Sequence, residues 1–164
     1  MNRIASLTIA GAAGAALVLT GTTVAQAKIN PGVGIAGVKI GQSKKTVIRK
    51  KGQPDHKESM QVETLGTVKM FYYGTGGKNL TVELWNNHVI QVSTQNPSQV
   101  TNKDIGVGSR KSDLVVAYPD ANCERVTKNK QICQLGEFQA GNIITTFRLT
   151  KKVIKEVEVA QFLD

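Results

Sequence analysis

The chain has 164 residues, with 21 Lys and Arg against 12 Asp and Glu and a formal net charge of +9. Hydrophobic residues at 40% and charged residues at 20% give enough apolar material for one core and no compositional sign of disorder. The basic balance favours anionic partners such as acidic proteins, cell-envelope polymers or lipid headgroups.

Residues 1–27 read as an export signal. Arg3 is the only charge, an Ala- and Gly-rich apolar run extends from Ile4 to Leu19, and Ala25-Gln26-Ala27 has the small-x-small form of a cleavage site. The run falls short of the roughly 20 strongly apolar residues a membrane span needs. Cleavage after about Ala27 is therefore expected, leaving a secreted product with no transmembrane segment and a net charge of +8.

A short pattern then occurs twice. Val38-Lys39-Ile40-Gly41-Gln42-Ser43-Lys44-Lys45-Thr46-Val47-Ile48 returns as Ile105-Gly106-Val107-Gly108-Ser109-Arg110-Lys111-Ser112-Asp113-Leu114-Val115, and each copy is followed by Pro-Asp, at Pro54-Asp55 and Pro119-Asp120. Self-similarity of this kind predicts two tandem α+β units, residues 28–97 and 98–164, each a helix followed by three or four antiparallel strands.

In the first unit Ser43 is an N-cap for a helix over residues 44–51, which Gly52-Gln53-Pro54-Asp55 ends. Strands follow at 67–73, 79–85 and 88–94, separated by the Gly74-Thr75-Gly76-Gly77-Lys78 and Asn86-Asn87 turns. Asn96-Pro97-Ser98-Gln99 links the units. The second helix is predicted over residues 110–118, and its strands at 131–138, 142–149 and 153–162. Cys123 and Cys133 fall in this unit, and in an oxidising compartment their close spacing predicts a disulfide.

The helix-opening step, apolar-Gly-x-Ser-basic-x-x-Val followed by Gly-x-Pro, resembles that of the BamE/SmpA-type small exported domains. Its tandem duplication after a signal peptide, with a Cys pair flanking the segment between helix and strands, resembles the β-lactamase inhibitory protein family of actinomycetes. The resemblance implies an α+β fold in which the sheets of the two units join into one concave face, and a function in protein binding or inhibition.

Strand alternation locates a candidate partner surface. Val68, Met70 and Tyr72 share one phase and Lys69, Phe71 and Tyr73 the other, while Leu80, Val82 and Leu84 oppose Thr81, Glu83 and Trp85. With the helix over the more uniformly apolar set, Phe71, Tyr73 and Trp85 are expected on the open side as anchors, beside Glu83 and with Lys69 and Arg148 as charged selectors. Phe147 and Leu149 are expected inside. A second candidate surface is the first helix, where Lys44, Lys45, Arg49, Lys50 and Lys51 repel one another and would suit an anionic wall polymer or membrane surface.

Catalysis is not expected. His56 and His88 stand apart in the sequence, no nucleophile-elbow, zinc-protease or phosphate-loop motif occurs, and Asp55-His56-Lys57-Glu58 has a lysine where a metal site would need another ligand. Glu156 and Glu158 read as salt partners of Lys155 or Arg148. No cofactor, metal or nucleic-acid partner is expected. The sequence thus reads as a secreted protein-binding module that modulates another exported or cell-surface protein, with anionic-polymer binding and β-lactamase inhibition as alternatives.

Overall fold

The computed structural model describes residues 28–163; the predicted export signal lies outside them. The described residues begin with a small three-stranded antiparallel sheet, β1 (Ile29–Asn30), β2 (Gly34–Ile35) and β3 (Val38–Lys39). Helix α1 (Lys44–Lys51) follows, then β4 (His56–Val62), β5 (Gly66–Tyr73), a single 3-10 turn at Thr75–Gly77, β6 (Leu80–Trp85) and β7 (His88–Thr94). Helix α2 (Lys111–Ala117) leads into β8 (Asn122–Arg125), β9 (Lys130–Leu135), β10 (Ile143–Thr150) and β11 (Val153–Gln161). The last eight strands form one antiparallel sheet in the order β4-β5-β6-β7-β11-β10-β9-β8.

Each helix is thus followed by a four-stranded meander, and the meanders meet where β7 pairs with β11, Val92 opposite Val159 and Thr94 opposite Val157. Several details recur in the two halves. Gly41 and Gly108, both at positive φ, donate their N–H groups to Val89 O and Ile154 O; Lys44 and Lys111 donate theirs to Asn87 O and Lys152 O. The register shifts between Glu83 and Leu84 in one closing hairpin and between Arg148 and Leu149 in the other. Both hairpins turn through two residues at positive φ, Asn86-Asn87 and Lys151-Lys152.

The predicted caps of α1 are present. Ser43 Oγ accepts from Thr46 N–H, and Gly52, at φ 82°, donates its N–H to Ile48 O. The three strands that the sequence locates in each half leave out β4 and β8, both of which are edge strands. All of β4 except Val62 is exposed, and its Lys, Glu and Gln suit an edge that must not recruit another strand. The β1–β3 hairpins were also missed, since their strands are two residues long and carry no period.

All covering elements lie on one face of the large sheet. Ile29, Ile35 and Val38 from the small sheet, Val47 from α1 and Leu114 from α2 form one buried cluster with Phe71, Val82, Leu84, Val92, Phe147, Leu149, Val157 and Val159. Phe147 also meets the Tyr118 ring, centroid to centroid at 6.2 Å. Val68 and Ile144 are buried but stand outside that cluster, on the opposite face.

This corrects the expected phase of β5. Phe71 pairs with Val82 and Tyr73 with Leu80, so both rings lie on the covered face, and Phe71 is only 2% exposed. Lys69 pairs with Leu84 on the same face. Met70 and Tyr72 pair with Glu83 and Thr81 and occupy the open face instead. Both alternating sets of β5 are apolar, and a lysine in one of them made it look solvent-facing; its long stem lets it cover apolar surface with its ammonium at the rim. Lys44 and Lys57 place their ammonium groups 5.8 and 5.7 Å from the Phe71 ring centre, closing that end of the core with cation–π contacts.

Cys123 and Cys133 are directly opposite on β8 and β9 and form the expected disulfide. Replacing both by serine should lower unfolding stability by about 2–3 kcal/mol for a loop this short, read as a lower urea midpoint. Phe71→Ala should cost about 3–5 kcal/mol, as for a buried aromatic, and Trp85→Ala clearly less; the reverse order would restore the original phase.

Candidate functional site

The uncovered face of the large sheet is the candidate site. Pairing register places on it Glu58 and Met60 from β4, Val68, Met70 and Tyr72 from β5, Thr81, Glu83 and Trp85 from β6 and Gln91 and Ser93 from β7. Beyond the β7–β11 seam it continues through Glu158 and Ala160, then Arg148, Thr146 and Ile144, then Ile132 and Gln134. Of the five residues expected here from sequence, the structure brings Trp85 and Arg148 to this face, and Phe71, Tyr73 and Lys69 to the other. Tyr73 is held there by its hydroxyl, which donates to Gly52 O at 3.4 Å.

A charged network spans the centre of this face. Arg148 Nη2 donates to Glu158 Oε2 at 2.7 Å, and Arg148 Nε lies 3.8 Å from Glu156 Oε1. Glu158 is buried and sits across from Ser93 of the other meander, so this bridge lies along the seam. The Glu158 hydrogen bond holds Arg148 protonated above its ordinary range. Glu83 accepts from Gln91 Nε2 at 3.0 Å, and burial, with the Glu158 charge adding to it, pushes its carboxyl above the usual range. Trp85 Nε1 donates to Leu65 O, pinning the β4–β5 turn under the indole.

At one end of the face a cavity of about 710 Å³ is lined by Asp55, His56, Glu58, Tyr72 and the Gly74–Gly77 turn. Glu58 accepts from Tyr72 OH at 2.9 Å and lies 3.0 Å from His56 Nε2, and the His56 and Tyr72 rings stack at 5.6 Å. The hydrogen bonds from His56 and Tyr72 draw the Glu58 carboxyl below its ordinary range, whereas burial and Glu58 push the Tyr72 phenol up. An anionic carboxylate beside two aromatic rings suits a cationic side chain. The turn needs glycine at position 77, at φ 71°, because a Cβ there would lie 2.5 Å from the Tyr72 ring. Sequence reading placed this turn but missed the cluster, since its members meet only when β4 pairs with β5; the alternation of His56 and Glu58 was the available signal. Among the described residues no group of three or more His, Cys, Asp or Glu could hold a metal ion, and no helix is long and apolar enough to cross a membrane.

The basic stretch on α1 is largely engaged by its own protein. Lys44 covers Phe71, Lys50 Nζ donates to Gly37 O at 3.3 Å, and burial beside Lys50 pulls the Lys51 ammonium below its ordinary range. Lys45 and Arg49 are exposed.

No protein-family model matches the chain, and no curated protein matches it. Among solved structures it is similar to an extracellular protein containing a SCP domain from Bacillus anthracis, at 12% identity and a TM-score of 0.47 over 74% of this chain and 44% of that one. It is also similar to a cysteine-rich secretory protein from Staphylococcus aureus, at 15% identity and 0.45 over 80% and 48%. A third is a protein from Streptococcus mutans named provisionally as a β-lactamase inhibitor, at 13% identity and 0.34 over 74% and 83%. The chain spans less than half the length of the first two.

Glu83 gives the open face a testable pH dependence. A carboxyl raised above its unfolded value stabilises the fold while protonated, and that contribution is lost as pH rises from the ordinary carboxylate range through the raised value. Glu83→Gln, which keeps an acceptor for Gln91, should therefore raise stability at neutral pH and flatten the decline above the ordinary carboxylate range, followed by chemical denaturation across pH.

Proposed function

We propose that this is an exported, non-catalytic binding protein, built by duplication of one α+β unit, that recognises another exported or cell-surface protein through the open face of its sheet. The observation that carries the reading is the two-sidedness of the sheet. Both helices and the small sheet contribute to the core on one face, while the other displays Met60, Met70, Tyr72 and Trp85 among Glu58, Glu83, Glu156, Glu158 and Arg148. Trp, Tyr, Met and Arg are enriched at protein interfaces, and this face carries all four. Because carboxylates outnumber cations across this face, a partner presenting lysine or arginine is the complementary one.

Duplication is supported by the recurring anchor bonds, bulges and two-residue turns of the two meanders. Export is supported by the Cys123–Cys133 bond, since disulfides persist mainly in oxidising compartments, and by the signal-like residues 1–27. Inhibition of a β-lactamase is the finer form of the proposal and rests on the sequence resemblance.

The test is capture of partners from the producing organism's exported fraction with the native chain and with Trp85→Ala/Tyr72→Ala. The double variant should lose capture while keeping the native circular dichroism spectrum; capture that survives the variant would remove the open face as the interface. Adding the purified protein to a class A β-lactamase hydrolysing a chromogenic β-lactam tests the finer form, for which loss of hydrolysis is the required result.

A further inference from the structure

Two lysines occupy backbone positions that disfavour them. The β10–β11 hairpin turns through Lys151 at φ 49° and Lys152 at φ 65°, the left-handed pair of a two-residue turn in which Asn and Gly are at ease and a lysine meets a steric penalty. The β6–β7 hairpin makes the same turn with Asn86 at φ 49° and Asn87 at φ 63°. The same turn geometry thus carries asparagines in one half and lysines in the other, where the backbone itself does not favour them.

The lysine turn borders a cavity of about 800 Å³ that Arg110, Lys111 and Val115 line from the α2 side and Arg125 from β8. Lys111 N–H donates to Lys152 O at 2.9 Å and Lys151 N–H to Asn129 O at 2.8 Å, so the turn is braced on both sides. Five cations therefore converge on one groove, and no carboxylate lines it. None of the five is in an ion pair among the described residues, where the ion pairs are His56–Glu58 and those of Arg148. Asp113 of α2 turns its oxygens to the Arg110 N–H and the Ser112 hydroxyl. Glu124 pairs with Ile132, across the strand alternation from Arg125.

We propose that this groove binds a linear phosphate-bearing polymer. Arginine forks match phosphate oxygens two at a time, and the cavity holds several times the volume of a single orthophosphate, so consecutive phosphates of one chain fit along the surface that the start of α2, the lysine turn and Arg125 line together. The site is separate from the open face, and its residues are not those of α1, on which the sequence placed anionic contacts.

The experiment is calorimetric titration of short-chain inorganic polyphosphate into the native protein and into Lys151→Asn/Lys152→Gly, which restores favoured turn residues. The native protein should bind, more weakly as salt rises. The double variant should bind about tenfold or more weakly, as expected for losing two charge-assisted contacts, while its melting temperature stays level or rises. Lys45→Ala/Arg49→Ala on α1 should bind as the native protein does. Undiminished binding by the turn variant, a fall in its melting temperature, or binding only to phosphatidylglycerol vesicles would each overturn the proposal, the last in favour of a membrane surface.

Discussion

The pairing of β7 with β11 is the constraint on which the rest of the molecule depends. A four-stranded meander behind one short helix has too little apolar surface to bury alone, and joining the two last strands doubles the sheet while creating one shared covered side. Val92, Val157 and Val159 lie at that join and are fully buried, beneath the small sheet whose Ile29, Ile35 and Val38 are buried to the same degree. Once strand parity is set at the seam, antiparallel pairing carries it outward to both edges. Apart from the two bulges, side chains across the eight strands are thereby assigned to one side or the other.

What could be read from the sequence followed from how local each feature is. The α1 caps, the Asn86-Asn87 turn and the Cys pair depend on neighbours a few positions away, and they stand where residue chemistry alone put them. The phase of β5 is not local. Phe71 and Tyr72 are equally plausible core residues until β5 is laid against β6, and only the pairing of Phe71 with Val82 decides between them. In β6 and β10 the alternation of Leu80, Val82 and Leu84, or of Phe147, Arg148 and Leu149, has one clearly polar phase, and there the reading and the structure agree. The carboxylate network of Glu83, Glu156 and Glu158 was invisible as a unit because its members come from opposite sides of the seam.

Charge is distributed unevenly for a chain so basic overall. The glutamates of the open face face away from the lysines of α1 and α2, which fringe the covered side. Net charge therefore says little about what either face attracts: an approaching partner meets the local field within a Debye length of about 8–10 Å. The Arg148 bridge tempers the acidic side, since without it Glu158 would be a buried carboxylate with no cation.

The two ends of the large sheet differ in how they are closed. At one end β8 is four residues long and is fastened to β9 by a covalent bond at its second residue. At the other, β4 is seven residues long, exposed along nearly its whole length and held to β5 without a covalent link. Thermal opening of the sheet is therefore directional. Strand separation starts at β4 and travels inward, so amide hydrogens shared by β4 and β5 exchange with solvent sooner than those shared by β8 and β9, and the stacked His56 and Tyr72 rings part with them.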